Sequence, residues 1–412
     1  MKTKVERIKK DIEELAKFNS STEGGLTRFS LTREDRMARE YLKDQLCKLD
    51  VKIYEDNAGT LFARREGTDP QAPAIMIGSH FDSVKNGGNF DGPAGVVMAL
   101  EIFRALEENN IKTRYPLEFV AMIEEEGGRF GSGVFGSRAM AGLVDYDQLE
   151  RNRDRDGISM AQALRDFGFE PEKVAEAKRN KEDVKAFIEL HIEQGPILEK
   201  EGKDLGIVDF IVGINEFRVQ VDGRPDHAGT TPMDMRADAL GVASKVVAEI
   251  DSYPVPENNG TVATVGVLEI KPGAANIVPA QVVFTVDIRS KDEGSIANVK
   301  KKIMARLEAL TEGTDVTYTV TEMLDVKPVK MNEEMVRLFK ESAEEKGFTY
   351  RNMLSGAGHD AMVMAAVTEV GLVFVPSRDG RSHCKEEWTD YDQLQKGIEL
   401  IYDTILKLGE AK

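Results

Sequence analysis

The residues best suited to chemistry in this sequence are its histidines, which lie in polar or glycine-rich segments near carboxylates. There are five of them, at His80, His191, His227, His359 and His383. None lies on the apolar face of an amphipathic helix. Imidazole nitrogen and carboxylate oxygen are typical ligands of catalytic Zn²⁺. Any one histidine alone would be explained more simply as a structural residue, but the group favours a divalent metal site.

Two aspartates accompany the first histidine. Asp82 follows His80 by two residues, and Asp91 lies in the turn-like run Asn-Phe-Asp-Gly-Pro at 89–93. A ligating histidine usually needs a carboxylate to fix its tautomer, and Asp82 is placed for that task. Asp91 can direct its carboxylate at the same site. The alternative is that both aspartates are ordinary turn or helix-cap residues.

Three consecutive glutamates, Glu124, Glu125 and Glu126, follow the apolar run 117–123. Adjacent carboxylates repel one another, so holding them at the end of a strand is costly unless a cation offsets the charge. One of them can ligate a metal while its neighbour acts as a general base toward water. A solvated acidic turn is the alternative.

Two further segments bring a histidine to the end of an apolar run. Alternation in the segment 189–196 places Glu189, His191 and Glu193 on one face of a strand. His383 follows the apolar run 372–375 at a short distance. For the first segment, a half-buried strand with a polar outer face is an equal alternative.

The plausible ligands are more numerous than one metal ion needs. They are His80, Asp91, Glu126, His191 and His383. One catalytic zinc usually takes three protein ligands. A carboxylate shared by two ions roughly 3.5–4 Å apart accounts for the larger set. Two such ions would supply the activation that an unreactive amide or urea needs at neutral pH.

The elements that must position these residues alternate between strand and helix. Strands are predicted at 74–78, 117–123 and 372–375, with helices at 95–107 and 391–408. This alternation indicates an α/β sheet with helices on its faces, in which ligands bind at the carboxyl ends of strands. Residues 1–50 are predicted to form two amphipathic helices, and 144–186 a charged helical hairpin without chemistry.

A second domain is predicted from a change of pattern between residues 212 and 328. Strands at 216–221, 262–270, 282–288 and 316–321 and helices at 237–250 and 296–310 give the order β-α-β-β-α-β. This order is the ferredoxin-like arrangement. The catalytic domain would then comprise residues 1–211 and 329–412.

Charge and cysteine content exclude several classes of protein. The formal net charge of −17 argues against binding to nucleic acid or anionic membranes. Two isolated cysteines, Cys47 and Cys384, exclude a disulfide framework and a cysteine-based zinc site, and they suit the reducing cytoplasm. No run of 18 apolar residues predicts a membrane span, and the charged N-terminal segment is not a signal peptide.

The motifs together resemble the hydantoinase/carbamoylase family of amidases, within the dinuclear metallopeptidase group that includes aminoacylases. The similar runs are Gly-Ser-His-Phe-Asp-Ser at 78–83, Phe-Asp-Gly at 90–92, Glu-Glu-Gly-Gly-Arg-Phe at 125–130, Gly-Ser-Arg at 136–138, His-Ile-Glu-Gln-Gly-Pro at 191–196, Asp-His-Ala-Gly-Thr-Thr-Pro at 226–232, Asn-Ile-Val-Pro at 276–279, Asp-Ile-Arg at 287–289, Gly-Ala-Gly-His-Asp at 356–360, Val-Pro-Ser at 375–377 and Ser-His at 382–383. The resemblance implies a metallopeptidase-like catalytic domain with an inserted lid and dimerisation domain.

The resemblance also implies roles for the metal ligands. His80 and His383 would hold different ions, Asp91 would bridge them, and Glu126 and His191 would complete the pair. The two ions would be Zn²⁺, Mn²⁺, Co²⁺ or Ni²⁺, because mixed nitrogen and oxygen ligands accept all four. Relatives often have a proline two residues after the last histidine, where this chain has Lys385.

The remaining roles that the resemblance implies concern catalysis and substrate binding. Glu125 would be the general base and Asp82 would orient His80. The implied substrate-binding groups are Gln194, His227, Asn276, Arg289 and the backbone of Gly358. His227 would come from the partner subunit of a homodimer to stabilise the oxyanion, and Arg289 would clamp a substrate carboxylate. His359 has no metal role in the family pattern and is interpreted as structural.

The predicted function is hydrolysis of an N-carbamoyl-L-amino acid to the amino acid, CO₂ and ammonia. Allantoate is the first alternative substrate, followed by ureidoglycolate and β-ureidopropionate, all small ureido carboxylates. A dipeptidase or aminoacylase is a more distant alternative, which the pattern of Gln194 and Asn276 disfavours. A metal-bound but inactive binding protein is the alternative from another class, and the presence of Glu125 argues against it.

Overall fold

The chain forms two compact units in a computed structural model, which describes residues 3–410. The first unit contains the residues up to Asp209 together with those from Met331 onward, and the second is Phe210–Lys330. Residues 1, 2, 411 and 412, at the ends of the predicted catalytic domain, lie outside the described residues.

The helices have the following bounds. They are α1 (Val5–Leu15), α2 (Arg33–Leu46), α3 (Pro93–Glu108), α4 (Phe135–Met140), α5 (Tyr146–Arg151), α6 (Met160–Phe167), α7 (Ile197–Glu201), α8 (Ala239–Val247), α9 (Glu293–Thr311), α10 (Glu333–Lys346), α11 (Asp360–Met364) and α12 (Tyr391–Glu410). Helix α2 begins after Thr32, whose side chain accepts a hydrogen bond from the N–H of Asp35 and so caps the helix.

The strands have the following bounds. They are β1 (Lys52–Glu55), β2 (Leu61–Arg65), β3 (Ala74–His80), β4 (Leu117–Met122), β5 (Val184–Ile192), β6 (Leu205–Ile211), β7 (Gly213–Asp222), β8 (Val262–Thr264), β9 (Leu268–Lys271), β10 (Gln281–Ser290), β11 (Thr317–Val326), β12 (Val329–Lys330), β13 (Tyr350–Ser355) and β14 (Glu369–Val375).

A nine-stranded mixed sheet runs through the described part of the chain in the order β1-β2-β4-β3-β5-β14-β6-β12, with β13 on β6. The four central strands β4, β3, β5 and β14 are mutually parallel. Nearly all their residues are buried, because a parallel sheet is covered on both faces and its strands are therefore continuous apolar runs. The carboxyl ends of these four strands lie along one edge, and the predicted metal ligands lie at or after these ends.

The second unit is a five-stranded antiparallel sheet in the order β11-β7-β10-β8, with β9 also paired to β10. Helices α8 and α9 cover one face, and residues such as Phe217, Phe284 and Val299 form the core between sheet and helices. The predicted β-α-β-β-α-β order is present when β8 and β9 are counted as one strand. The prediction of α/β architecture with a ferredoxin-like insertion is confirmed.

Several predicted elements were wrong in detail. The strand at 262–270 is two strands, because the chain advances four residues from Thr264 to Leu268 while their partners Asp287 and Phe284 are three residues apart. An extra residue of this kind interrupts a ladder. The hairpin at 144–186 is replaced by α5, α6, a 3₁₀ helix at Pro171–Ala177 and the start of β5.

No helix within residues 3–410 is both long and apolar enough to cross a lipid bilayer.

Candidate metal centre

The buried half of the candidate site is formed by residues at the ends of β3 and β5 and by the turn before α3. His80 is the last residue of β3, His191 is the penultimate residue of β5, and Asp91 lies two residues before α3. All three are at least nine-tenths buried. The Nε2 atoms of His80 and His191 lie 3.5 and 3.1 Å from Oδ1 of Asp91. These three residues form one group that could hold a metal ion.

Gly92 permits this close approach. Its φ of 80° is in the left-handed region that favours glycine. A Cβ atom at this position would lie 2.4 Å from the ring of His80. The glycine therefore allows the Asp91 turn to pass directly against the histidine.

The more exposed half of the site also uses Asp91. His383, which follows β14, has its Nε2 atom 3.4 Å from Oδ2 of Asp91 and 3.5 Å from Oε2 of Glu126. Asp91, Glu126 and His383 form the second group that could hold a metal ion. Among residues 3–410 the two groups share only Asp91, so its carboxylate lies where a bridging ligand would have to be.

The hydrogen-bond pattern of the two buried histidines fits a cation. Nδ1 of His80 faces the carbonyl and carboxylate oxygens of Asp82 at 3.3 and 3.5 Å, and Nδ1 of His191 faces the carbonyl of Ile192 at 3.0 Å. If each Nδ1 donates, the Nε2 lone pairs face the oxygen of Asp91. Two acceptors facing a carboxylate need a proton or a metal ion between them. Oε1 of Glu126 is also buried without a hydrogen-bond partner, so the donor set fits divalent metals.

The electrostatics of the site agree with this arrangement. Burial alone would raise the pKa of Asp91, but His191 and the other two histidines hold it well below its usual value. The hydrogen bond to Asp91 raises the pKa of His383 to about 9. Burial, reinforced by Asp91, raises the pKa of Glu126 to about 7. In the absence of metal, the cluster therefore retains protons that a metal ion would displace.

The three consecutive glutamates point to different partners. Oε1 of Glu124 accepts the N–H groups of Arg129 and Phe130, so this side chain closes its own turn. Oε2 of Glu125 lies 3.7 Å from Nε2 of His80, whereas Glu126 faces His383. Burial and the neighbouring acids, opposed by His80, raise the pKa of Glu125 well above its usual value. Glu125 therefore lies beside the buried half of the site, and its role as the general base stays a prediction.

Asp82 connects the glutamates to His80. Its two carboxylate oxygens accept the N–H groups of Glu125 and Glu126, each at 3.2 Å, while the same carboxylate faces Nδ1 of His80. Asp82 is itself buried. One aspartate thus fixes the ring of a candidate ligand and the backbone of the candidate base.

Comparison with known proteins identifies the family. Residues 76–407 match the model of peptidase family M20/M25/M40. The chain is 49% identical to the N-carbamoyl-L-amino-acid amidohydrolase of Paenarthrobacter aurescens, over 97% of each chain. It is 35% identical to the allantoate amidohydrolase of Bacillus subtilis, over 97% of this chain and 96% of that protein. The crystal structure of a hydantoinase/carbamoylase family amidase from Burkholderia multivorans matches with a TM-score of 0.91 and 32% identity, covering 98% of both chains.

The chain belongs to the hydantoinase/carbamoylase amidases of peptidase family M20/M25/M40. The predicted family is thereby confirmed, as is the class of hydrolases that act on C–N bonds other than peptide bonds. The family is metal-dependent.

The predicted substrate-binding residues of this amidase lie in both units. In the first unit, Nε2 of Gln194 donates to Oδ2 of Asp91 at 2.6 Å, and Gly358 lies in the segment before α11. In the second unit, His227 and Asn276 lie on adjoining segments, since the N–H of Ala228 donates to the carbonyl of Asn276.

Arg289 lies on β10 of the second unit, where Asp287 holds part of its guanidinium. Its Nε and Nη2 atoms donate to the two carboxylate oxygens of Asp287 at 3.0 and 2.9 Å. This bidentate pair fixes the plane of the guanidinium. The roles of Arg289, Gln194, His227, Asn276 and Gly358 stay predictions.

His359 is buried beside the site and contacts His191, with ring centroids 4.6 Å apart. Its Nε2 atom lies 3.0 Å from Oγ of Ser355. Burial and the neighbouring His191 lower the pKa of His359 well below its usual value. His359 is in neither candidate metal group of the described residues, and its interpretation as a structural residue stays a prediction.

Two buried glutamates near the site had been given no role from the sequence. Glu189 accepts hydrogen bonds from Oγ of Ser79 and the N–H of Ala361, at 2.6 and 3.0 Å. The alternative of a polar outer face for its strand is wrong, because both faces of β5 are buried. The sequence signal for a role of Glu189 was a carboxylate within an apolar run. The second buried glutamate is Glu387, and neither spacing nor periodicity in the sequence indicated a role for it.

Proposed function

We propose that this protein is a two-metal amidohydrolase that converts N-carbamoyl-L-amino acids to the amino acid, CO₂ and ammonia. The observation that carries the proposal is the 49% identity to an N-carbamoyl-L-amino-acid amidohydrolase, which extends over 97% of both chains. The direct test is whether the metal-loaded protein releases the amino acid and ammonia from N-carbamoyl-L-methionine. A metal-loaded protein that releases neither contradicts the proposal.

Allantoate is the second candidate substrate. The relative that favours it is the allantoate amidohydrolase of Bacillus subtilis, which is 35% identical. Both substrates present a carbamoyl nitrogen and a carboxylate, so one site with a hydrolytic centre and a carboxylate clamp suits either. The larger identity to a carbamoylase favours the carbamoyl amino acid.

The ligand groups fit two ions of Zn²⁺, Mn²⁺, Co²⁺ or Ni²⁺. His80, Asp91 and His191 would hold one ion, and Asp91, Glu126 and His383 the other. When bound, the ions would supply Lewis acidity toward the substrate carbonyl and the attacking water. Imidazole and carboxylate together accept all four metals, and availability in the cell decides among them.

Glu125 is the proposed proton carrier of the reaction. Its carboxylate would take a proton from the attacking water and return it to the departing nitrogen. Asp82 would hold it in place, since Asp82 accepts the N–H of Glu125 and also faces His80. Product release would then give the free amino acid, with the carbamate decomposing to CO₂ and ammonia.

Residues 212–328, which lie within the second unit, are proposed to be a lid and dimerisation domain that contributes to substrate binding. Arg289 would bind the substrate carboxylate, with its plane fixed by Asp287. Gln194, Asn276 and the backbone of Gly358 would bind the carbamoyl group. His227 of the partner subunit would stabilise the oxyanion.

A homodimer formed through the second unit is supported by an exposed apolar edge. Strands β8 and β9 present Val262, Leu268 and Ile270 to solvent, with Val267 between them. An apolar strand at a sheet edge is a template for pairing with another chain.

We place the enzyme in the cytoplasm, because both of its cysteines are free thiols.

The shared site predicts that two inactive variants complement each other. Glu125→Gln and His227→Ala are each expected to be nearly inactive alone. After co-expression, about a quarter of wild-type activity is expected, because random pairing makes half of the dimers mixed and each mixed dimer has one intact site. Two differently tagged Glu125→Gln chains are the control and should give no recovery. Mixed dimers that have been isolated by their tags yet remain inactive would contradict a histidine supplied by the partner.

A further inference from the structure

Glu387 is a buried carboxylate beside the proposed metal site, and its burial needs an explanation. It is 4% exposed, and no lysine or arginine among the described residues forms an ion pair with it. It also lies next to another carboxylate, that of Asp91. Burial of a second carboxylate beside Asp91 costs stability unless hydrogen bonds offset it. Buried charged groups that cost stability in this way are typical of functional sites.

The hydrogen bonds of the Glu387 side chain connect it to Asp91 and its loop. Oε1 of Glu387 accepts the N–H groups of Phe90 and Asp91 at 2.9 and 3.0 Å. Oε2 lies 3.1 Å from Oγ of Ser382, and the same hydroxyl lies 2.8 Å from Oδ2 of Asp91. Glu387 thus holds the backbone of Asp91 directly and its side chain through one serine.

The surrounding chain is shaped for this contact. A Cβ atom on Gly88 would lie 2.1 Å from the carboxylate of Glu387, so glycine leaves the space that the carboxylate occupies. The N–H of Glu387 donates to the carbonyl of Cys384, which closes the turn after His383. The ring of Trp388 packs edge-on against Phe90, with centroids 5.3 Å apart. The turn that carries Lys385 thus places Glu387 against the loop of Asp91.

We propose that Glu387 is a positioning residue that, together with Ser382, fixes Asp91 as the carboxylate shared by the two metal ions. This inference rests on the proposed metal centre. Residues that orient metal ligands typically contribute 10- to 100-fold to metal affinity. Because Asp91 belongs to both ligand groups, loosening it should weaken both ions, whereas loss of a ligand of one group should weaken mainly one.

The test is the affinity of the metal-free protein for Mn²⁺, measured by competition with a chelating dye. Glu387→Ala is expected to weaken binding of both ions by about 10- to 100-fold. The Mn²⁺ affinity of Glu387→Gln is expected to be closer to that of wild type than to that of the alanine variant. Its amide oxygen can accept the same two N–H groups, and its NH₂ can donate to Ser382. Glu386→Gln is the matched control: its side chain is exposed and pairs with Arg381, so its Mn²⁺ affinity should equal that of wild type.

The outcomes separate this inference from a purely structural role. Wild-type Mn²⁺ affinity in Glu387→Ala, with or without a lower melting temperature of the metal-free protein, would overturn it. Equal losses in Glu387→Ala and Glu387→Gln would also overturn it, since charge and not positioning would then explain the effect. If Glu387→Ala does not fold, Ser382→Ala decides: weaker Mn²⁺ binding supports the inference and unchanged binding overturns it. A wild type that binds no Mn²⁺ would instead contradict the proposed metal centre.

Discussion

Glu125→Gln is expected to lower kcat on the best substrate by about 10²- to 10⁴-fold, the usual contribution of a general base. The amide keeps the size of the side chain but cannot take a proton from water. Metal content should be unchanged, because Glu125 is in neither of the two ligand groups. The measurement is steady-state ammonia release together with metal analysis of the same preparation.

Glu124→Gln is the matched control for that experiment. The carboxylate of Glu124 accepts the N–H groups of Arg129 and Phe130, and a glutamine oxygen can accept them as well. Burial raises the pKa of Glu124 to about 7, so the neutral amide resembles a protonation state that the glutamate already adopts near neutral pH. Activity of this variant should be close to that of wild type. The reverse result, with Glu124→Gln inactive and Glu125→Gln active, would assign the role of general base to Glu124.

Removal of the metal is expected to lower activity by about 10³-fold or more, because Lewis-acid stabilisation contributes several kcal/mol and about 1.4 kcal/mol corresponds to tenfold in rate. Re-addition of Mn²⁺ after chelation should restore the activity. Mg²⁺, which prefers all-oxygen sites, should not restore it. Full activity in a preparation in which fewer than one metal site in ten is occupied would contradict the metal mechanism.

Metal binding should also stabilise the fold. Mn²⁺ at 100 times its dissociation constant is expected to raise the free energy of unfolding by about 2.7 kcal/mol per site. A bound metal ion would relieve the repulsion of Glu126 by Asp91 and of Glu125 by Glu126. The melting temperature with and without Mn²⁺ measures this effect in the same preparations.

The parallel core of the fold and the location of the site could be predicted because both follow from local patterns. Strands β3, β4 and β14 are apolar runs, and the carboxyl ends of parallel strands share one edge of the sheet. His80 is the last residue of β3, and Glu125 comes three residues after the end of β4. Short or mixed strands such as β1 and β13 could not be recognised, since none of the residues of β1 and only two residues of β13 are buried.

The residues that support the ligands could not be predicted, because their partners are distant in the chain. Glu387 contacts a backbone N–H 297 positions earlier, and Glu189 contacts Ser79 and Ala361. Such contacts exist only once the sheet has formed, and no spacing in the sequence encodes them. His383, by contrast, could be predicted, since it follows an apolar strand and is accompanied by a recognisable motif.

The most direct test of the proposed function is ammonia release by the manganese-loaded protein from N-carbamoyl-L-methionine and from allantoate, measured in parallel with Glu125→Gln as the blank. The account predicts a higher kcat/KM for N-carbamoyl-L-methionine, with the activity lost in the variant. A higher kcat/KM for allantoate would make the protein an allantoate amidohydrolase with the same site. No release from either substrate, with two metal ions bound, would contradict the account.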